Sequence, residues 1–144
     1  LKVPPGNKEV ISMAEIVKPR AISEEGTKNK ITNQGPEVFL PSNALSPLAM
    51  ILHEFTTNAS KYGVLGPKGG ELEISWDLGP ENLSLVWHEK NHTPVEETND
   101  VGFGTTLIRS SAKQLGADLF KEIDDKNFTI FIEIPLHKIE EKLK

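Results

Sequence analysis

The segment from Pro41 to Gly63 constrains the fold more than any other. Ser46-Pro47 reads as an N-cap followed by proline at the first helical position, and Gly63 stands where a C-terminal cap belongs, so the stretch predicts a helix of several turns. At about 100° per residue, Leu48, Ile51, Leu52, Phe55, Ala59 and Tyr62 fall within roughly 100° of one another. A helix with so wide an apolar stripe must bury it against a second layer. That layer follows directly. Glu71 to Trp76 and Leu83 to Trp87 alternate with period two and are joined through Gly79-Pro80-Glu81-Asn82, the pattern of an antiparallel hairpin.

The remaining punctuation completes the architecture. Val10, Met13, Ala14 and Val17 stand at helical spacing and predict a helix from Ile11 to Ile16, stopped by Pro19. Glu37 to Leu40 reads as a short strand. Lys90 to Asp100 is polar, with Val95 as its only aliphatic anchor, and predicts a mobile loop. Thr105 to Leu115 is a second helix with Leu107, Ile108 and Leu115 inward and Gly116 as its stop, and Asp118 to Ile123 and Phe128 to Ile134 are two further strands. The tail from Leu136 to Lys144 is charged. The expected fold is α/β, a two-layer sandwich whose mixed, largely antiparallel sheet is covered on one face by helices. No internal repeat interrupts it, and 144 residues with 37% hydrophobic content suffice for one core, so residues 1–144 read as a single module.

Charge and composition exclude several functions. Sixteen basic residues against 21 acidic ones give a net charge of −5 with no basic cluster, which argues against a nucleic-acid partner. No apolar stretch approaches the roughly 18 residues of a membrane span, so no direct membrane insertion is expected of this chain. Leu1-Lys2-Val3-Pro4-Pro5 is neither a signal peptide nor a native initiator, which leads us to expect a fragment of a longer protein. The absence of cysteine removes disulfides and thiolate metal sites, and a cytoplasmic location is the default expectation.

Two places can carry chemistry. With Glu54 at 0° on the helix, Asn58 lies at about +40° and Lys61 at about −20°, one polar stripe beside the apolar face. A carboxylate, an amide and an ammonium in that order suit a hydrated Mg²⁺ and a polyphosphate, although spacing alone favours a solvated helix flank with a Glu54-Asn58-Lys61 network. Gly102-Phe103-Gly104-Thr105-Thr106 precedes the second helix, where glycines let backbone N–H groups point at an anion beside the positive end of the helix dipole. An ordinary glycine-rich cap has the same composition. His53-Glu54 opens like a zinc-protease helix, but Thr57 stands where the second histidine must be.

The run Leu52-His53-Glu54-Phe55-Thr56-Thr57-Asn58-Ala59-Ser60-Lys61-Tyr62-Gly63-Val64-Leu65 closely resembles the N box of the HWE-type histidine kinases. That family belongs to the GHKL ATPase superfamily with its Bergerat nucleotide-binding fold, and its name refers to a histidine in this box and a Trp-x-Glu in the next. The counterparts are His53 and Trp87-His88-Glu89. The glycine motif with Leu107-Ile108 resembles the family's G2 box, and the likeness runs from about Ala14 to Pro135.

The resemblance implies the catalytic and ATP-binding domain of a sensor histidine kinase in a two-component system, with ATP and Mg²⁺ as cofactors. Asn58 would then coordinate Mg²⁺, Lys61 contact phosphate, Tyr62 flank the nucleotide and Glu54 orient metal-bound water. Glu89 would accept the adenine amino group, with Thr129 near the base. Gly102, Phe103, Gly104, Thr105 and Thr106 would hold the triphosphate. The γ-phosphoryl group would pass to a histidine on a dimerisation domain of the same protein, and then to an aspartate of a response regulator receiver domain. Where the family usually has glycines after the acid, this chain has Lys90-Asn91-His92-Thr93-Pro94. The alternatives are a GHKL-type ATPase in which Glu54 activates water, a serine kinase acting on an anti-sigma partner, and a degenerate domain that binds nucleotide or a partner without turnover.

Overall fold

The computed structural model describes residues 10–12, 29–96 and 106–137. In chain order they form β1 (Val10–Ser12), β2 (Asn29–Gln34), β3 (Phe39–Pro41), α1 (Ser42–Tyr62), β4 (Gly70–Leu78), β5 (Asn82–Asn91), α2 (Thr106–Leu115), β6 (Asp118–Asp124) and β7 (Asn127–Pro135). Five strands make a sheet in the order β2-β4-β5-β7-β6, with β2 parallel to β4 and every other pairing antiparallel. Parallel pairing demands a crossover, and β3 with α1 provides it between β2 and β4. The expected mixed sandwich is what forms.

Period-two patterning explains the layering. Leu72, Ile74 and Trp76 of β4, Leu83, Leu85 and Trp87 of β5, and Phe128, Ile130, Ile132 and Ile134 of β7 are buried, while the residues between them are not. These side chains join Leu48, Ile51, Leu52, Phe55 and Ala59 of α1 and Ile108, Ala112 and Leu115 of α2 in one core. Tyr62, the sixth member of the expected stripe, is instead 68% exposed, because it is the last residue of α1.

The start of α1 differs from expectation. The helix begins at Ser42, Pro41 occupies the N-cap without a side-chain hydrogen bond, and Pro47 lies inside it. Pro47 cannot donate to the carbonyl of Asn43, but Asn43 is exposed and that carbonyl can meet solvent. A lost cap costs about 1 kcal/mol, whereas each fully buried Leu or Ile contributes about 1.5–3 kcal/mol. Packing therefore sets the helix start.

Two further expectations are corrected. Residues Ile11 and Ser12 belong to β1, which pairs antiparallel with β3 through Ile11 opposite Leu40 and Ser12 opposite Phe39, and residues 13–16 of the expected helix lie outside the described residues. The polar stretch after β5 starts later than the sequence implies. Lys90 and Asn91 are strand residues, Asn91 N–H donates to the Lys126 carbonyl at 2.9 Å, and Val95 N–H donates to the Asp125 carbonyl at 2.8 Å.

Candidate active site

A cavity of about 750 Å³ opens at the end of the sheet where α1 terminates, within the range of about 300–1,000 Å³ typical of small-molecule sites. Phe55, Trp87, Ile123, Phe128 and Ile130 give it an apolar floor. Asn58, Lys68, Glu89 and Asn91 supply polar groups, and Tyr62 and residues 92–96 form the rim. The helix period selects which face of α1 takes part. Phe55 and Tyr62 lie about 60° and 40° from Asn58 on one side, whereas Glu54 and Lys61 lie about 40° and 60° away on the other. Phe55 meets Trp87 edge to face, with ring centroids 5.4 Å apart.

Glu89 is the only carboxylate among the described residues that the core has swallowed, at 5% exposure. Its Oε2 accepts the Trp87 indole N–H at 2.7 Å, and its Oε1 lies 3.4 Å from Val64 N–H. Burial pushes its pKa above the ordinary carboxylate value, opposed by the Trp87 and Val64 hydrogen bonds and by the charge of His88. Gly63, expected as a helix stop, has a second duty. Its φ of −128° is open to any residue, but a Cβ there would collide with Glu89 Oε1. The end of α1 and the acid of β5 fit together only through that glycine.

The structure thus brings Asn58, Tyr62, Trp87 and Glu89 to one cavity. It leaves Glu54 and Lys61 on the flank of α1, and His53 exposed farther round. Thr129 is a correction. It stands opposite His88 on β5 and Glu122 on β6, on the outer face of the sheet and away from the cavity, because the strand period sends Phe128 and Ile130 inward. Gly102, Phe103, Gly104 and Thr105 lie outside the described residues, and Thr106 is the exposed first residue of α2. Sequence reasoning missed Lys68, a cation on the cavity wall. Its signal was the lysine within Gly66-Pro67-Lys68-Gly69-Gly70, where Gly69 has a φ of 74° and turns the chain back into β4.

On the opposite face of the same strands Glu73 binds the Lys90 ammonium at 2.9 Å and approaches His88 Nδ1 at 3.4 Å, while His88 Nε2 is 2.8 Å from Asn127 Oδ1. Among the described residues no group of three or more His, Cys, Asp or Glu is placed to hold a metal ion, and no helix is long and apolar enough to cross a membrane.

No family profile matches the sequence. Curated relatives do match. Blue-light-activated histidine kinase 1 of Erythrobacter litoralis is 32% identical over 114 residues, covering 77% of this chain and 32% of that protein. A blue-light-activated histidine kinase of Rhizobium johnstonii is 33% identical over 128 residues, covering 87% and 36%. The chain belongs to the HWE-type histidine kinases, as a catalytic domain. Solved structures agree on the fold. The blue-light-activated histidine kinase of Erythrobacter litoralis superposes with a TM-score of 0.72 at 18% identity, over 90% of this chain and 42% of that one. The catalytic domain of histidine kinase ThkA gives 0.69 at 12%, over 88% and 93%. The HWE chain in hand spans about a third of the length of these two curated relatives. Catalytic domains of this kind are nucleotide-binding transferase domains.

Proposed function

We propose that residues 1–144 are one catalytic domain of a longer sensor histidine kinase, that it binds ATP with Mg²⁺, and that the γ-phosphoryl group goes to a histidine on a separate dimerisation and phosphoacceptor domain. A response regulator aspartate would receive it next. Use of ATP puts the domain on the cytoplasmic side. The observation that carries the reading is a buried carboxyl group, Glu89, set in the wall of an apolar cavity that also holds Asn58.

The residues suit this ligand. A flat base can enter between Phe55, Ile123, Phe128 and Ile130, and Glu89 offers an acceptor to the exocyclic amine of adenine. Guanine would present a carbonyl oxygen at that position, and two acceptors facing each other in a dry site repel. For the cation, Mg²⁺ keeps several waters and takes one or two protein ligands plus substrate phosphates. Asn58 serves as one such ligand, and Glu54, one turn back on α1, is spaced to hold a metal-bound water at the phosphate end. Lys61 and Lys68 offer positive charge on the two sides of the helix end. The bound nucleotide supplies the phosphoryl group, and the chain contributes position and charge neutralisation.

None of the four histidines is arranged as an acceptor. His53 lies about 140° around α1 from Asn58. His88 is on the outer sheet face, His92 is on the cavity rim beyond Glu89, and His137 follows β7. Calorimetry of Asn58→Ala should show Mg²⁺-dependent ATP binding abolished, and unchanged affinity would sink the metal role. Incubated with radiolabelled ATP and Mg²⁺, the chain alone should form no acid-labile phosphohistidine. Label on any of the four would place the acceptor within it.

A further inference from the structure

Trp87 is fully buried, yet its one polar atom is committed to the acid two residues on. Residues i and i+2 of a strand share a face, so the Trp-x-Glu spacing on β5 lets the indole N–H reach Glu89 Oε2, at 2.7 Å. The other donor, Val64 N–H, stands at 3.4 Å from Oε1, long for a hydrogen bond. An ionised carboxylate has about four acceptor positions, so Glu89 keeps unused acceptor capacity where it lines the cavity.

We propose that Trp87 is the positioning residue for Glu89, its indole N–H fixing the carboxyl group so that the remaining acceptor positions meet the exocyclic amine of the nucleotide base. This rests on the nucleotide reading of the cavity. The bond does two things at once. It holds a side chain with three rotatable bonds in one orientation against Gly63, and it counters the burial that drives Glu89 towards its protonated form. A protonated carboxyl group would turn an O–H donor towards an amine that is itself a donor.

The test is a mutant cycle on the whole chain, read by calorimetry with ATP and with GTP in Mg²⁺. Trp87→Phe keeps an aromatic ring beside Phe55 and removes the N–H. It should lower the ATP:GTP affinity ratio about tenfold, the loss of one hydrogen bond to a charged group. Glu89→Ala should lower the same ratio, and adding Trp87→Phe to it should lower it no further. Should Trp87→Phe fail to fold, benzothienylalanine at position 87 keeps the bicyclic shape, replaces N–H by sulfur and should reproduce the loss. An unchanged ratio in either variant overturns the proposal, as does a loss of equal size with and without Glu89. If Glu89→Ala also leaves the ratio unchanged, the carboxyl group does not read the base, and the nucleotide reading of Glu89 falls together with the role of Trp87.

Discussion

Along β5, Trp87 and Glu89 point into the cavity end of the core, while His88 and Lys90 point to the outer face of the sheet. Glu73 faces these outer residues from β4, so the two sides of one strand pair each contain a glutamate with hydrogen-bonding partners. Their acidities move in opposite directions. The Lys90 ammonium holds Glu73 below the ordinary carboxylate range, with His88 adding to it, whereas burial holds Glu89 above that range despite two N–H groups. Glu73 is 44% exposed and loses little hydration. What separates a solvated ion pair from a buried acid is the water removed, and the sheet period decides which glutamate loses it.

The largest effect should come from filling the space that lets Glu89 sit where it does. Gly63→Ala places a methyl group on Glu89 Oε1, so either the helix end shifts or the carboxyl group rotates away. The expected result is a destabilisation of about 1–3 kcal/mol, the usual cost of overpacking, read by urea unfolding, together with a loss of preference for ATP over GTP. In a Glu89→Ala background most of that cost should disappear, since the Oε1 collision is gone and only the 3.3 Å approach to the Ala59 Cα remains. Equal costs in the two backgrounds would mean that Gly63 and Glu89 are not coupled.

A smaller effect follows from the raised pKa of Glu89. Between the unfolded value near 4.5 and the higher folded value, the native state holds a proton that the unfolded state has released, so stability falls as pH rises through that window. The contribution is fully present below the unfolded value and is lost above the folded one. Glu89→Gln should flatten this part of the pH–stability curve, measured by urea unfolding without nucleotide. An identical curve in wild type and variant would mean that Glu89 titrates as a solvated carboxylate.

Much of this was legible in the sequence because it rests on short periods. The stripe of α1, the alternation of β4 and β5 and the Gly116 stop each repeat within a few residues, and the cavity gains Asn58 and Glu89 from such elements. Long-range pairing was not legible. Val10–Ser12 carries helix-like spacing into Met13, yet it forms a ribbon with β3, almost 30 residues away. Asn29–Gln34 carries no strand pattern, having one aliphatic residue, Ile31, and its place at the sheet edge comes from pairing with β4. Thr129 fails as a base contact through a one-residue question of facing. Lys68, rather than Lys61, reaches the cavity because the helix ends at Tyr62 and the glycine turn brings the chain back over the opening.

The smallest effect belongs to the outer face. Lys90 lowers the pKa of Glu73 mainly through a direct hydrogen bond, so the stabilisation is present above the usual carboxylate value near 4.5 and is lost as pH falls through the lowered one. Both side chains are substantially exposed, at 44% and 42%. Water and salt screen such pairs, and holding two long side chains together opposes the gain. Glu73→Gln should therefore lower Tm by no more than about 4 °C near neutral pH, with the difference vanishing in strong salt and ATP affinity unchanged. A change in nucleotide affinity with Glu73→Gln, comparable to that with Glu89→Ala, would show that the two faces of β5 are not separate. The outer cluster would then reach the cavity through His88, which both touches Glu73 and bears on the acidity of Glu89.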